Sequence, residues 1–451
     1  MKKIKFSLLI IALLISSFFT MTAAAEENIE ISLTEAAEIM LENNRQLQNS
    51  RQNIEKAEKD VELSGRGYYP TVNLQSSYTK MESGQMTIDF QKLSDPTYNF
   101  FQDGFPMTET PDQNYNTSLS LNQPLYLGGR VRIGEDISEL GQEMSRIEYQ
   151  KQLDQTLFNL VQSYYGVLQA QGMVEIRQNA LDVVNEHLRI VKVNTEAGTS
   201  LRQDLLQTQI EQRKAEEDLI AAENQLQIAR KRLAQLLGDS SKNYAVSTPE
   251  KNPDPETELD KLINIALEKR AELKSLQINQ QMLEKQKELE GNPYRPQISL
   301  NGSYNWQGSE LDFSEGSWNI TLSGSISLYD GGKANLKEEK KEIEASNLEN
   351  SKTDLEESIK IEIEDTLLSL NHSKEMINLE QLSLENAEEN LELANKSYQA
   401  GVGTNIDVIN AQTSYKQAQI SLLQAEYDYE INLFKLLYNT GRISELFKDV
   451  I

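Results

Sequence analysis

Residues 319–332 read NITLSGSISLYDGG, and residues 116–129 read NTSLSLNQPLYLGG. In the first stretch Ile320, Leu322, Ile326 and Leu328 alternate with Asn319, Thr321, Ser323, Ser325 and Ser327. In the second, Leu119 and Leu121 alternate with Asn116, Ser118, Ser120 and Asn122. A period of two predicts strands, here over 319–328 and 116–122. The wet face of a soluble strand usually carries Lys or Glu, and these carry only small uncharged polar groups. Apolar residues on one face and small polar residues on the other is the pattern of a transmembrane barrel strand. Two further strands are predicted at 72–79 and 298–306, with Val72, Leu74, Tyr78 and Ile298, Leu300, Tyr304, Trp306 on their apolar faces. Aromatic residues flank the strands, with Tyr68, Tyr126, Tyr294 and Tyr329 at one end and Tyr78, Tyr115, Trp306 and Trp318 at the other. Two such girdles are expected at the two membrane interfaces.

The two quoted stretches belong to a duplication. Gly128-Gly129 and Gly331-Gly332 lie 203 residues apart, and the same offset pairs Ala197-Gly198 with Ala400-Gly401, Asp204 with Asp407, Gln209 with Gln412 and Gly238 with Gly441. Upstream the offset is 226, pairing Leu33 with Leu259, Leu41-Glu42 with Leu267-Glu268, Pro70 with Pro296 and Tyr78 with Tyr304. One insertion of 23 residues, between Tyr78 and Leu119, accounts for the difference. A fixed-period duplication dictates architecture before any single motif does. Each copy reads helix, strand, strand, long helix, helix. The first repeat is expected at 26–238, with helices at 33–44 and 46–63, a strand pair over about 68–127, a long helix at 131–196 and a return helix at 201–237. The second is expected at 257–441, with helices at 259–269 and 271–290, strands over about 294–329, a long helix at 334–399 and a return helix at 404–439. Segment 239–256, with Pro249, Pro253 and Pro255, is the predicted linker, and 442–451 a C-terminal tail.

Each long helix spans about 66 residues, or roughly 100 Å at 1.5 Å per residue. Ile363, Leu370, Ile377, Leu384, Leu391 and Tyr398 recur every seven residues, as do Leu160, Val167, Val174, Leu181 and Leu188 in the first copy. A repeat of seven is a coiled-coil seam. The segment 80–114 between the first two strands is long and holds Phe90, Phe100, Phe101 and Phe105, whereas the matching turn near 308–316 is short. Long loops belong outside the cell and short turns in the periplasm. The other ends of the strands run into helices, so the helices are placed in the periplasm.

Composition sets the compartment. Lys2, Lys3 and Lys5, an apolar run from Phe6 to Phe19 and Ala23-Ala24-Ala25 make 1–25 a secretory signal peptide. The chain has no Cys, which excludes disulfides and thiolate metal sites. No later stretch has 18 consecutive apolar residues, so a membrane is crossed, if at all, by strands. With 44 basic and 70 acidic residues, and three of the lysines in 1–25, the mature charge is −29. That disfavours nucleic acid, which needs a basic footprint, and fits a heavily solvated helical surface. Four strands cannot close a barrel, and open edges cannot face lipid. The chain is therefore expected to assemble, two copies giving eight strands and three giving twelve.

The duplicated order of elements, together with Leu-Thr-Glu-Ala-Ala at 33–37, Tyr-Tyr-Pro at 68–70, Tyr-Arg-Pro at 294–296, Leu-Tyr-Asp-Gly-Gly at 328–332 and Ile-Asp-Val-Ile-Asn-Ala-Gln at 406–412, resembles the TolC-like outer membrane efflux protein family. The resemblance covers about 33–441. It implies a mainly α protein with a β-barrel section, assembled as a homotrimer. A twelve-stranded barrel in outer membrane lipid would be continued by a twelve-helix periplasmic tunnel. It implies an exit duct for tripartite efflux or type I secretion, working with a periplasmic adaptor (membrane fusion) protein and an inner-membrane RND, ABC or similar transporter, without catalysis and without a cofactor. It places the periplasmic constriction at Asp407 and Asn410, the second of which has lost the family's charge, with Asp204 as the first-copy counterpart of Asp407. Tip and adaptor contacts fall at Gly198, Thr199, Arg202, Gly401, Gly403 and Thr404. The Arg that latches this end in the family has no counterpart among Gly403, Thr404 and Asn405, while Arg202 lies near the first tip. An acid in the first turn of a helix is also what the helix dipole favours. His187 and His372 do not follow the repeat and read as solvated helix-face residues. The rival class is a secreted trimeric coiled-coil spacer or adhesin without a channel, which would not need four alternating strands.

Overall fold

The computed structural model describes residues 29–80, 86–109, 113–249, 256–291, 294–448 and 450–451. The predicted signal peptide, 1–25, lies outside the described residues. Two compact units are present, and each draws on both sequence repeats. Among the described residues, one draws on 53–146 and 275–351, the other on 29–52, 147–274 and 352–451.

The first unit holds a four-stranded antiparallel sheet in the order β2-β5-β7-β8, with β2 at Thr71–Lys80, β5 at Gln113–Leu127, β7 at Gln297–Gly308 and β8 at Ser317–Ser325. The register puts like with like. Val72 faces Leu121, Leu74 faces Leu119 and Tyr78 faces Tyr115. Leu119 in turn faces Tyr304, Leu300 faces Leu322, and Tyr304 faces Trp318. Cross-strand partners share a face, so one side of the sheet is mainly apolar, interrupted by the hydrogen-bonded pair Ser76 and Thr117 and by Gln123. The other side pairs Asn73 with Ser120, Asn122 with Asn301 and Ser303 with Asn319, with no charge among them. Leu74 is 71% exposed and Leu322 67% exposed. An exposed apolar surface of this kind marks a contact with lipid or protein. Tyr78, Tyr115, Tyr304, Trp306 and Trp318 gather at one end of the strands, with the Tyr78 and Tyr115 rings 4.8 Å apart and those of Tyr304 and Trp306 4.5 Å apart.

The strands differ from the sequence reading in their ends. β5 runs to Leu127 through a register shift at Pro124, since Pro lacks the N–H the ladder needs. β8 stops at Ser325, so the alternation of Ile326 and Leu328 outlasts the pairing. The insertion between β2 and β5 has structure of its own: strands β3 (Met86–Ile88) and β4 (Met107–Glu109) form a hairpin around two short helices, α3 (Phe90–Leu93) and α4 (Phe100–Asp103).

Four glycines carry the chain from sheet to helix. Gly128 and Gly129 have φ of 64° and 82°, and Gly331 and Gly332 have 74° and 80°. These left-handed values are open to Gly and costly for other residues. At Gly128 a Cβ would also lie 2.9 Å from the Cβ of Arg295. Asp330 then caps the second long helix, its carboxylate accepting from the N–H of Gly332 (3.0 Å) and of Ala334 (2.8 Å).

The second unit is helical. Its elements are α1 (Leu33–Asn43), α6 (Arg202–Leu236), α7 (Leu259–Lys269) and α10 (Asn405–Asn439), with parts of α2 (Arg45–Gly65), α5 (Arg130–Glu196), α8 (Ala271–Glu290) and α9 (Lys333–Gln399). Contacts join α5 to both α6 and α10, α6 to α10 through Asp218 and Lys416, and α10 to α9. Arg177 of α5 pairs with Asp218 of α6. The Tyr165 ring of α5 lies 5.7 Å from Phe434 of α10, and Asn432 of α10 donates to Ser373 of α9. The main core forms where α5 meets α1, α6 and α10, around Met40, Leu47, Leu157, Tyr164, Tyr165, Leu233 and Phe434. A smaller one joins α7, α9 and α10 around Ala266, Ile359, Ile363 and Leu436.

Two features were not legible as structure in the sequence. The predicted linker supplies β6 (Tyr244–Val246), which pairs in parallel with β1 (Ile29–Ile31). Tyr164 locks this pair, its hydroxyl donating to the Ser247 carbonyl at 2.6 Å. The predicted tail forms a short 3-10 helix, Ile443–Phe447, whose two end side chains enter the main core.

Gly238 and Gly441 end the return helices with φ of 86° and 68°. Each glycine packs on the end of a short helix. A Cβ at Gly238 would lie 2.5 Å from the Asn43 carbonyl oxygen, and one at Gly441 would lie 3.2 Å from Lys269. The residues that follow, Asn44 and Arg270, do different work at equivalent positions. Asn44 caps α2 through Oδ1 and donates to the Leu236 carbonyl at 2.9 Å. Arg270 is largely buried and pairs with Glu272 and Glu362. Beside this pair Asp154 is 9% exposed, accepting from Gln150 Nε2 at 3.0 Å. Burial pushes its carboxyl up to about 6, against the hydrogen bonds of Ser444 and Gln150.

Candidate functional site

The long helices α5 and α9 are each turned back by a glycine in the left-handed region, Gly198 at φ 77° and Gly401 at φ 75°. Their last carbonyls are satisfied alike: Thr199 N–H donates to Asn194 at 2.8 Å, and Val402 N–H donates to Ser397 at 3.0 Å. This is the hydrogen bonding of a helix end closed by a left-handed residue. The second turn is tighter, since a Cβ on Gly403 would lie 2.9 Å from the Ser397 Cβ. Gly198, Thr199, Arg202, Gly401 and Thr404 are exposed, and Gly403 is half-buried.

Both return helices begin with an acid three residues past the cap. At the second, the Asp407 carboxylate accepts from the Thr404 N–H (3.0 Å) and hydroxyl (2.5 Å), while Thr404 Oγ1 accepts from the Asp407 N–H (3.3 Å). This reciprocal capping satisfies donors the helix start would leave unpaired. The Thr404 hydrogen bonds, side chain before backbone, hold the Asp407 carboxyl below its ordinary range. At the first, Leu201 has no hydroxyl, and Asp204 accepts only its backbone N–H at 3.2 Å. Asp407 and Asn410 are exposed, and Asp204 is half-buried. Asn410 lies one turn beyond Asp407, on the same side of α10.

The link between the two hairpins escaped the sequence reading. His372 is exposed as expected, but His187 is only 3% exposed, which overturns its reading as a solvated residue. Its Nε2 lies 2.8 Å from Asn405 Oδ1, where a neutral imidazole donates. The Thr208 hydroxyl is within reach of the same Oδ1 (3.2 Å) and of the Asp204 carbonyl (2.9 Å). The Tyr398 ring meets His187 edge-on at 5.2 Å, and its hydroxyl lies 3.1 Å from Ser200 Oγ. Helices α5, α6 and α10 are thus tied by a buried polar cluster, and the end of α9 joins it through the Tyr398 ring and hydroxyl. The missed signal was a spacing. An α-helix drifts about 20° per heptad against a strict repeat of seven. By this depth the buried line of α5 has moved from Leu181 and Leu188, which are half-buried, to Val184, His187 and Val191.

Burial depresses the basicity of His187, opposed by the Asn405 hydrogen bond. Its folded pKa lies below the ordinary 6.5, so the unfolded chain takes up a proton that the folded one refuses. Its stability contribution is complete above that ordinary value and is lost as the pH falls below it. The unfolding midpoint is expected to drop between about pH 7 and about pH 5. His187→Gln keeps a donor for Asn405 and has no proton to gain, so the drop is expected to be smaller. Equal pH dependence in the two proteins would acquit His187.

Beyond this network the four helices line a partly open cleft of about 550 Å³. Val184, Ala215, Leu391 and Ile409 line it on the apolar side. On the polar side Asp218 receives Arg177 at 2.7 Å and Lys416 at 3.3 Å. The hairpins are therefore joined by discrete polar links around an incompletely filled space.

Comparison with known proteins places this architecture. The alkaline protease secretion protein AprF of Pseudomonas aeruginosa is 23% identical over 438 residues, spanning 93% of this chain and 86% of AprF. The outer membrane protein TolC of Vibrio cholerae is 22% identical over 416 residues, spanning 90% of this chain and 89% of TolC. The fold resembles the crystal structure of the Campylobacter jejuni CmeC outer membrane channel with a TM-score of 0.73 at 16% identity, covering 93% of this chain and 89% of CmeC. The family model described as outer membrane efflux protein matches twice, at residues 36–239 and 262–442. With both halves matched, the chain belongs to the outer membrane efflux protein family.

Proposed function

We propose that three copies of this outer membrane channel protein join their four-stranded sheets edge to edge, giving a twelve-stranded barrel continued by a twelve-helix periplasmic tunnel. The observation that carries this reading is the sheet itself. One face is mainly apolar, the other is polar and uncharged, and β2 and β8 stand at its two edges. Lipid tolerates an apolar face but no unpaired strand edge, so the edges must meet partners. Three sheets leave a water-filled lumen lined by the Asn and Ser face, whereas two would close on packed side chains. A secreted spacer or adhesin would have no use for such a sheet.

In this reading the hairpin ends form the periplasmic entrance, where an adaptor and an inner-membrane transporter deliver cargo. Three copies of Asp407 would ring the entrance and attract cations. AprF is named for protease secretion, and an open duct of this kind would pass protein or small-molecule cargo alike. The test is reconstitution of the purified chain in a planar bilayer. A trimer is expected to conduct ions, with divalent cations on the entrance side blocking the current. Asp407→Asn, which keeps an acceptor for Thr404 while removing the charge, is expected to relieve the block. An unchanged block would remove Asp407 from the entrance, and a non-conducting monomer would remove the channel.

A further inference from the structure

The sheet meets the helices at four junctions, and each junction carries a tyrosine close to a cation. Where α2 passes to β2 these are Tyr68, Tyr69 and Arg66, and where β5 passes to α5 they are Tyr126, Arg130 and Arg132. Where α8 passes to β7 they are Tyr294 and Arg295, and where β8 passes to α9 they are Tyr329 and Lys333. Residues 66–70, 126–132, 291–296 and 326–333 together hold five cations and a single acid, Asp330, in a chain with 44 basic and 70 acidic residues. Asp330 is already engaged in capping α9. The opposite ends of the strands are reversed in sign, since segments 81–114 and 309–316 hold nine acids and one Lys.

Helix stability does not explain these cations. The dipole at a helix start favours an acid, and α1, α6, α7, α8 and α10 have Glu35, Asp204, Asp260, Glu272 and Asp407 in the first turn. The two helices that leave the sheet, α5 and α9, have none there and begin with Arg130, Arg132 and Lys333. All three are exposed, and no carboxylate among the described residues pairs with them. The tyrosines are exposed as well, Tyr329 at 82% and Tyr69 at 57%, and the Arg66 guanidinium lies 5.0 Å from the centre of the Tyr69 ring. Tyr126 faces Ile298 on the apolar side of the sheet, and Ile326 and Leu328, exposed beyond the last pair of β8, extend the apolar surface. Apolar side chains, tyrosines and unpaired cations therefore lie next to one another at this end of the strands.

Resting on the reading above that the apolar side of the sheet faces lipid, we infer that the four junctions form a docking belt for the headgroups of anionic phospholipids in the periplasmic leaflet of the outer membrane. Tyrosine rings settle where acyl chains meet headgroups, with the hydroxyl towards water. Arg and Lys stems lie along apolar surface and carry their charge out to the lipid phosphate. A negative membrane surface attracts each such cation within about a Debye length, and the acidic helices beyond are repelled. The belt fixes the depth at which the protein sits and gives it a preference among lipids that its net charge conceals.

Lipid retention by the full-length protein tests this. The protein is purified in detergent, incubated with equal amounts of phosphatidylglycerol and phosphatidylcholine and repurified, and its bound lipids are counted. Phosphatidylglycerol is expected to be retained about fivefold over phosphatidylcholine, and the preference to shrink towards equality in about 1 M NaCl. Arg66→Gln/Arg130→Gln/Arg132→Gln/Lys333→Gln is expected to retain the two lipids equally. Arg295 is left in place because it donates to the Gly128 carbonyl at 3.4 Å. Arg66→Lys/Arg130→Lys/Arg132→Lys keeps every charge and is expected to keep the preference. Equal retention by the wild-type protein, a preference that salt leaves unchanged, or one that the Gln variant preserves overturns the belt. Conductance in a bilayer of phosphatidylcholine alone reads the channel separately. A wild-type trimer that conducts without a lipid preference overturns the belt and leaves the channel standing, whereas a non-conducting monomer overturns the lipid-facing sheet and the belt with it. A changed ion selectivity in the Gln variant, with no lipid preference in the wild type, would put the cations in the lumen and overturn the belt as well.

Discussion

Gly238→Ala is expected to lower the stability of the helical unit by about 2–4 kcal/mol. Two costs combine. At φ 86° an alanine sits in the left-handed region, costing about 1 kcal/mol or more. The added Cβ would also lie 2.5 Å from the carbonyl oxygen of Asn43, a backbone atom that cannot swing aside. Moving that carbonyl disturbs Asn44, which caps α2 and ties down the end of α6. The duplication supplies the control. Gly441→Ala meets Lys269 at 3.2 Å with φ 68°, so it carries the conformational cost with a milder contact. Thermal or urea unfolding of the two variants measures the difference. Equal losses would mean that the approach to Asn43 adds nothing to the conformational term.

Asp154→Asn is expected to act in the opposite direction, stabilising the protein at neutral pH by about 2–3 kcal/mol. The carboxyl is raised from an ordinary 3.8 to about 6, chiefly by burial. Between those values the folded chain holds a proton that the unfolded chain has released. Stability therefore falls as the pH rises through this window, and the full penalty of the buried charge persists above it. Asparagine keeps an acceptor for Gln150 and carries no charge. The gain is expected at pH 7 and should vanish at about pH 4, where the wild-type carboxyl is protonated in the folded state. A gain that does not depend on pH would point to packing. The trend is opposite in sign to that of His187, so the single variants are needed to separate the two.

The sheet was legible because its signal has a short period. Alternation over Val72, Leu74, Leu119, Leu121, Ile320 and Leu322 places each residue on a face, and pairing then fixes register to within a residue. The duplicated glycines were legible for a related reason: a left-handed φ at Gly198 and Gly401, or at Gly238 and Gly441, leaves few other choices. Pairing formed from distant short segments was invisible. Ile29–Ile31 and Tyr244–Val246 carry three residues each, too few to show a period, and they meet only because Tyr164 and the helices around it hold them together. At the hairpin ends, sequence located Asp407 and Asp204 but not their partner in the buried network. His187 is polar, and a rule that assigns polar residues to water misplaces one whose hydrogen bond is met by Asn405 from 218 residues away.

The rims of the sheet have a consequence for how the protein reaches its membrane. β2 has a single charge, Lys80 at its terminus, and β8 has none, so apart from Lys80 these edges lack the lysines and prolines that discourage stray pairing. A solitary molecule with its strands already formed would be an aggregation hazard in water and inadmissible in lipid. On the proposed trimeric reading, insertion is expected to be a collective event whose rate climbs more steeply than linearly with the amount of protein exported. Sparse expression would leave molecules stranded before the bilayer, prey to proteases, while crowding would favour completion.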